Sequence, residues 1–188
     1  MRVLVCGNQA EHLWPEACVR SLKAMGHEVE LIYYLVPTER DIQSFLPRKH
    51  WGDVPHLLKE YSSRKALMES FFLSLALEFQ PDLILLAGMY HTWSAETLDE
   101  LRRKISAPIV LWSGDNPYEQ GATDIFTPSR HYDHVYFTLF GCAERAVPDL
   151  QCSAGFMSFG CDPILDSAPS DVGESLRSSV SYLGTLKL

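Results

Sequence analysis

Three short stretches of this sequence set chemically capable side chains beside a glycine, each at the point where an apolar run stops. They are Gly7-Asn8-Gln9-Ala10-Glu11-His12, Gly88-Met89-Tyr90-His91 and Trp112-Ser113-Gly114-Asp115-Asn116-Pro117. His91 and His12 are candidates for general acid or base work, because an imidazole changes charge near neutral pH. Asp115 could take a proton from a hydroxyl group, or hold that hydroxyl by a hydrogen bond. Asn8, Gln9, Tyr90, Asn116 and Tyr118 add hydrogen-bonding and stacking groups around these three, and Gly7 and Gly88 let a ligand approach the main chain. Each residue also has a structural reading: Gly7 as a tight turn, His91 as an ordinary surface histidine, Asp115 as a turn residue capping backbone amides. The sequence leaves both readings open.

Other chemistries lack their residues. Neither G-x-G-x-x-G nor a Walker A loop follows the first apolar run, so no dinucleotide fingerprint is present. Cys142, Cys152 and Cys161 are spaced by ten and nine, His131 and His134 by three, and no C-x-x-C or H-E-x-x-H occurs, so no metal is expected. No G-x-S-x-G elbow is present, and Cys6 lies inside an apolar run. No cofactor is expected.

The elements that must position these groups alternate. Leu4 to Gly7, Val29 to Leu35, Leu83 to Ala87, Ile109 to Trp112, His134 to Thr138 and Phe156 to Phe159 read as strands. The first is apolar without interruption, as a strand covered on both faces must be. Helices are expected from Trp14 to Met25 with Gly26 as cap, from Leu57 to Phe79, after a Ser94 cap with Arg102, Arg103 and Lys104 in its last turn, and near Ala143 to Val147. Prolines 37, 47 and 55 break the pattern between the second strand and the second helix, and 114–131 reads as turns. Strands separated by helices predict an α/β fold: an open, mostly parallel sheet with helices on both faces, binding ligands beyond the carboxyl ends of its strands.

The length of 188 residues suits about one domain. Sixteen Lys and Arg against 24 Asp and Glu give a net charge of −8, which disfavours a nucleic-acid binder relying on general phosphate attraction. The longest apolar runs are far shorter than the ~20 residues a membrane span needs, and no signal peptide is evident, so a soluble, cytoplasmic protein is expected. Five cysteines without close pairs suit reduced core thiols.

The order of the pieces resembles a known family. Leu4 to Gly7, Pro81-Asp82-Leu83-Ile84 before Gly88, Pro108 to Trp112 leading into Asp115-Asn116-Pro117, Tyr132-Asp133-His134-Val135 and Phe159-Gly160-Cys161-Asp162-Pro163 are similar to the N-terminal, Rossmann-like domain of GT-B glycosyltransferases, most closely the CgeB-like (spore-maturation type) group. The resemblance implies sugar transfer from a nucleotide-sugar donor to a sugar or glycoconjugate acceptor, with this half shaping the acceptor site. It puts Asp115 first for acceptor activation, with His91 and His12 behind it, and Gly7, Asn8, Gln9, Gly88, Tyr90, Asn116 and Tyr118 around the substrate. It also implies an acceptor-side domain over 1–165, a linker over 166–179, and over 180–188 the opening strand of a C-terminal nucleotide-sugar-binding domain missing from this chain, so that the chain alone is inactive. A different class remains in view: a stand-alone flavodoxin-like or receiver-like binding module without catalysis. Against it, Gly7-Asn8 and Gly88-Met89 stand where a receiver carries acidic residues.

Overall fold

A computed structural model of the chain describes residues 1–8, 13–34, 54–88, 93–114, 116–118 and 125–158. In chain order the elements are β1 (Arg2–Asn8), α1 (Leu13–Ala24), β2 (Glu28–Tyr34), α2 (Val54–Phe79), β3 (Leu83–Gly88), α3 (Ala95–Lys104), β4 (Ile109–Ser113), a 3-10 helix (Thr127–His131), β5 (His134–Phe137), α4 (Cys142–Ala146) and β6 (Ser153–Phe156). The strands form one six-stranded sheet in the order β2-β1-β3-β4-β5-β6. Every neighbouring pair is parallel.

β1 shows why its apolar run is continuous. Val3, Leu4, Val5 and Cys6 are all fully buried, but into two different cores. Leu4 and Cys6 join Ile84, Leu86, Ile109, Leu111, Val135 and Phe137 on one face, under Phe72 and Ala76 of α2, Leu98 and Leu101 of α3 and Ala143 and Ala146 of α4. Val3 and Val5 join Val29 on the other, against Cys18, Val19 and Leu22 of α1. Helices therefore cover both faces. Each fully buried Val, Leu, Ile or Phe contributes ~1.5–3 kcal/mol of transfer free energy.

The helix ends follow the expected chemistry. α1 closes in a Schellman arrangement, His27 N donating to Leu22 O at 3.1 Å and Gly26 N to Lys23 O at 2.9 Å. Gly26 takes φ +83 there, a left-handed conformation that glycine adopts without a Cβ penalty. At the start of α3, Ser94 Oγ accepts from Thr97 N at 3.3 Å, and Ser94 N donates to Glu69 Oε1 of α2 at 2.6 Å. Ser94→Ala is expected to lower stability by ~1 kcal/mol, measured by urea unfolding. An unchanged midpoint would show that Glu69 alone holds this end.

The amino ends of β4 and β5 are clamped by one charged pair. Arg102 reaches Asp133 Oδ2 at 2.8 Å and donates from Nε and Nη2 to His131 O at 3.0 and 2.8 Å. Asp133 Oδ2 also accepts from Ile109 N at 2.7 Å.

Several expectations shift. β6 runs from Ser153 to Phe156, three residues earlier than the apolar content of Phe156 to Phe159 suggests, because its register is set by pairing Val135 with Ala154 and Phe137 with Phe156. α2 starts at Val54 rather than Leu57, and the turn-rich 114–131 stretch contains the 3-10 helix. The linker and final strand expected over 166–188 lie outside the described residues. No helix among the described residues is long and apolar enough to cross a membrane.

Candidate functional site at the carboxyl edge of the sheet

From β1 the chain turns to β2 on one side, then crosses back to β3 on the other, so the segments leaving β1 and β3 diverge. In an open parallel sheet that reversal opens a crevice beyond the strand ends. Gly7 is paired with Ala87 of β3, and Gly88 with Ser113 of β4, so Gly7, Gly88 and Ser113 step across three adjacent strands at this edge. The backbone of Asn8 ends β1 beside them, opposite Tyr34. His12, Gln9, Tyr90, His91 and Asp115 lie outside the described residues.

Gly7 meets a specific demand. A Cβ built on it would lie 2.1 Å from Pro15 Cγ and 2.5 Å from Pro15 Cβ, so the first turn of α1 is seated directly on the β1 backbone. The space beside Gly7 is taken by Pro15, and helix packing gives a reason for the glycine apart from any ligand. Gly88, buried at the end of β3, adopts φ +142, a conformation that L side chains rarely enter.

The turn after β4 is held from both sides of Asp115. Thr138, directly after β5, donates from its N to Ser113 O at 3.1 Å and from Oγ1 to Gly114 O at 3.2 Å. Asn116 Oδ1 accepts from Tyr118 N at 3.1 Å, an Asx turn, and lies 3.8 Å from Cys142 Sγ. Tyr118 then ties the turn to α4 and the segment after it: its hydroxyl is 3.0 Å from Arg145 O and 3.2 Å from Asp149 Oδ2, and the Arg145 guanidinium lies 3.8 Å over its ring. Burial and then the Asp149 carboxylate raise the Tyr118 pKa above the ordinary phenol value, which keeps its proton on for hydrogen bonding. Asn116 Oδ1 and the Tyr118 hydroxyl are thus engaged in fixing the turn.

Sequence reasoning missed the groups that do this fixing. Thr138 reads only as the end of a strand, and Pro15 only as a first-turn proline. Two aromatic contacts brace the rim: Trp14 meets Trp112 edge-on at 4.7 Å, and Trp93 stacks on Phe72 at 4.2 Å with 16° between the rings. Nothing local in the sequence announces these partners, since each contact joins separate elements.

The buried thiols are unsuited to nucleophilic work. Burial raises Cys6 well above the ordinary thiol range and pushes Cys18 up to about 11. Burial, and then the Asp133 carboxylate, raise Cys152 above the ordinary thiol value as well. Among the described residues no three His, Cys, Asp or Glu side chains gather where they could hold a metal ion.

Two histidines at the opposite, amino end of the sheet make stability depend on pH. Ser153 Oγ donates to Asp133 O at 2.8 Å, so His134 Nδ1, 2.6 Å from that oxygen, carries the proton of the pair. His134 Nε2 is left as a buried lone pair without a hydrogen-bond partner. Burial lowers the pKa of His134. Burial also lowers that of His131, outweighing Asp99 at 3.3 Å. Because both fold best neutral, the unfolded chain takes up protons first as pH drops. Their contribution is complete above the unfolded value of about 6.5 and is lost progressively below it. Melting temperature is expected to fall between pH 7.5 and 5.5, and His134→Gln should flatten that slope; an unchanged slope would mean His134 does not participate.

The strand order and the two covered faces define an α/β, Rossmann-like chain with its candidate site at the carboxyl edge. No protein-family model matches the sequence, and no curated protein matches it. Solved structures are similar at low identity. UGT73P12 of Glycyrrhiza uralensis, complexed with glycyrrhetinic acid 3-O-monoglucuronide, is 14% identical with a TM-score of 0.44, over 86% of this chain and 43% of that one. LsrB from Clostridium saccharobutylicum, in complex with AI-2, is 8% identical with a TM-score of 0.40, over 73% of this chain and 32% of that one. The histidine kinase ThkA in complex with response regulator protein TrrA gives 17% identity and a TM-score of 0.34, over 80% of this chain and 98% of the matched one. The chain thus spans less than half the length of the first two proteins.

Proposed function

We propose that this chain is the acceptor-binding half of a GT-B glycosyltransferase of the CgeB-like group, acting in the cytoplasm and completed by a second, nucleotide-sugar-binding domain. The observation that carries the reading is the β4 turn: Thr138 and the Asn116–Tyr118 Asx turn fix both neighbours of Asp115 beside the β1/β3 crevice. A turn whose flanks are fixed in this way would suit Asp115 to orient an acceptor hydroxyl and then take its proton.

In the reaction proposed, an acceptor hydroxyl oxygen attacks the anomeric carbon of the donor sugar, and the bond from that carbon to the nucleotide diphosphate breaks. Asp115 takes the hydroxyl proton, and the diphosphate leaves with the bonding electrons. His91 and His12 are the reserve acid/base groups. The acceptor would lie against Asn8, Gln9, Gly88 and Tyr90, with Asn116 and Tyr118 shaping the turn beside it and Gly7 seating Pro15 beneath it.

The test has two stages. Titrating labelled chain with a panel of simple glycosides is expected to shift the amide signals of Gly88, Ser113, Gly114 and Asn116, while nucleotide sugars leave them in place. In the enzyme completed by its second domain, Asp115→Asn should lower kcat/KM by ~10²–10⁴-fold. Full turnover by that variant would reduce Asp115 to a turn cap, and no response to any glycoside would remove the acceptor-site reading.

The order β2-β1-β3-β4-β5 also matches the flavodoxin-like arrangement, which favours a stand-alone binding module as the second reading. Purification of a yellow, flavin-containing protein would reverse the ranking.

A further inference from the structure

The 3-10 helix ends in a histidine whose two ring nitrogens are both engaged. The His131 side chain is 4% exposed, and its Nδ1 lies 3.3 Å from Asp99 Oδ1 of α3. Its Nε2 accepts from Arg130 Nε at 3.1 Å. Nδ1 therefore carries the proton and Nε2 the lone pair, the neutral ring with one donor and one acceptor. A second proton would have to sit on Nε2, where its N–H would face the N–H of Arg130. The charged ring would also be enclosed in the fold, which is costly unless the charge is fully paired.

The pairing on offer is weak. Among the described residues the charged groups that face the ring are Asp99 and Arg102 from α3, Arg130 from the 3-10 helix itself, and Asp133 from the entry to β5, which is bound to Arg102. Burial works against the charge, Asp99 favours it, and Arg130 and Arg102 oppose it. Asp99 is 62% exposed, so water screens the single attraction.

The helix around the ring is short and connects distant parts. It is five residues long, and a 3-10 turn of that length has little stability of its own. Ser129 Oγ accepts from Gln151 N at 3.0 Å, joining the helix to the segment entering β6. Phe126 at its head lies 5.6 Å from Tyr118 of the β4 turn.

We infer that His131 is a pH-sensitive latch: the neutral ring holds the 3-10 helix closed against α3, and the protonated ring lets go of Arg130 and opens the helix, loosening the entry to β6 and the Phe126–Tyr118 contact. The latch is local and independent of the reaction proposed above.

Hydrogen exchange and ring NMR on the full chain test it, in a His134→Gln background so that His131 is the member of the pair left to titrate. The Ser129, Tyr132 and Gln151 amides, all bonded within or onto the 3-10 helix, should lose protection by up to about tenfold between pH 7.5 and 5.5. Amides of Val5 and Leu86 in the central strands should hold theirs. His131→Gln should make the first set insensitive to pH. Arg130→Ala, at an exposed position, should raise the pKa read from the His131 ring and shrink the pH-dependent loss, and it decides the matter even if His131→Gln impairs folding. A ring that titrates at or above the ordinary value of about 6.5 would overturn the inference. So would a ring pKa unmoved by Arg130→Ala, and so would protection that ignores pH or falls in step with Val5 and Leu86.

Discussion

Gly7→Val is expected to destabilise the chain by about 3 kcal/mol, at the upper end of overpacking penalties. A Cβ would stand 2.1 Å from Pro15 Cγ and 2.5 Å from Pro15 Cβ, and a pyrrolidine ring has no rotamer that moves both atoms away. Ala87 O, 3.4 Å from the same point, restricts movement the other way. Either the first turn of α1 lifts off the sheet or β1 bends. Gly7→Ala should show the same effect at smaller amplitude. In a Pro15→Gly background, the added penalty of Gly7→Ala should shrink, giving a coupling of ~1 kcal/mol or more by double-mutant cycle in urea. Strict additivity would mean that Pro15 is not what demands the glycine. A lifted α1 would also displace the segment that carries Asn8, Gln9 and His12, so glycoside affinity should fall along with stability.

Phe72→Ala has the second large effect, a loss of ~3–5 kcal/mol. Phe72 is fully buried in the larger core and stacked on Trp93, itself 8% exposed. Removing the ring leaves a cavity between α2 and the segment entering α3, where rigid neighbours on the sheet limit collapse. Phe72→Leu should restore much of the loss, since it keeps most of the apolar volume. If the two variants unfold at the same denaturant concentration, ring stacking rather than filled space is the stabilising contact. Because Trp93 follows the segment that contains Tyr90 and His91, glycoside binding should weaken more in the alanine variant than in the leucine one.

The elements that show in the sequence are those whose stability is local or whose faces are uniformly covered. β1 is legible because both faces are buried, and α3 because Ser94 caps its start and Arg102, Arg103 and Lys104 end it. β6 is displaced from its expected place because Ser153-Ala154-Gly155 carries no apolar signal of its own; the strand exists through backbone pairing to β5. Phe156, which drew the expectation toward 156–159, is half exposed. The carboxyl edge was legible in the sequence as the place where Gly7, Gly88 and Asn116 fall, at the ends of β1 and β3 and after β4. Its bracing was not. Pro15 against Gly7, Thr138 against Gly114, and Glu69 against Ser94 depend on which elements become neighbours, and hydrophobic spacing along one segment does not encode that.

The length of α2 bears on how anything reaches that edge. Its 26 residues give an axis of about 39 Å, whereas six-residue β3 spans about 20 Å. α2 runs opposite to the strands and meets the start of α3 at Glu69, so the 15 residues from Val54 to Met68 rise roughly 22 Å beyond that contact. They project past the carboxyl edge on the face that α2 covers, so the acceptor and second domain proposed above would reach the crevice from the opposite face.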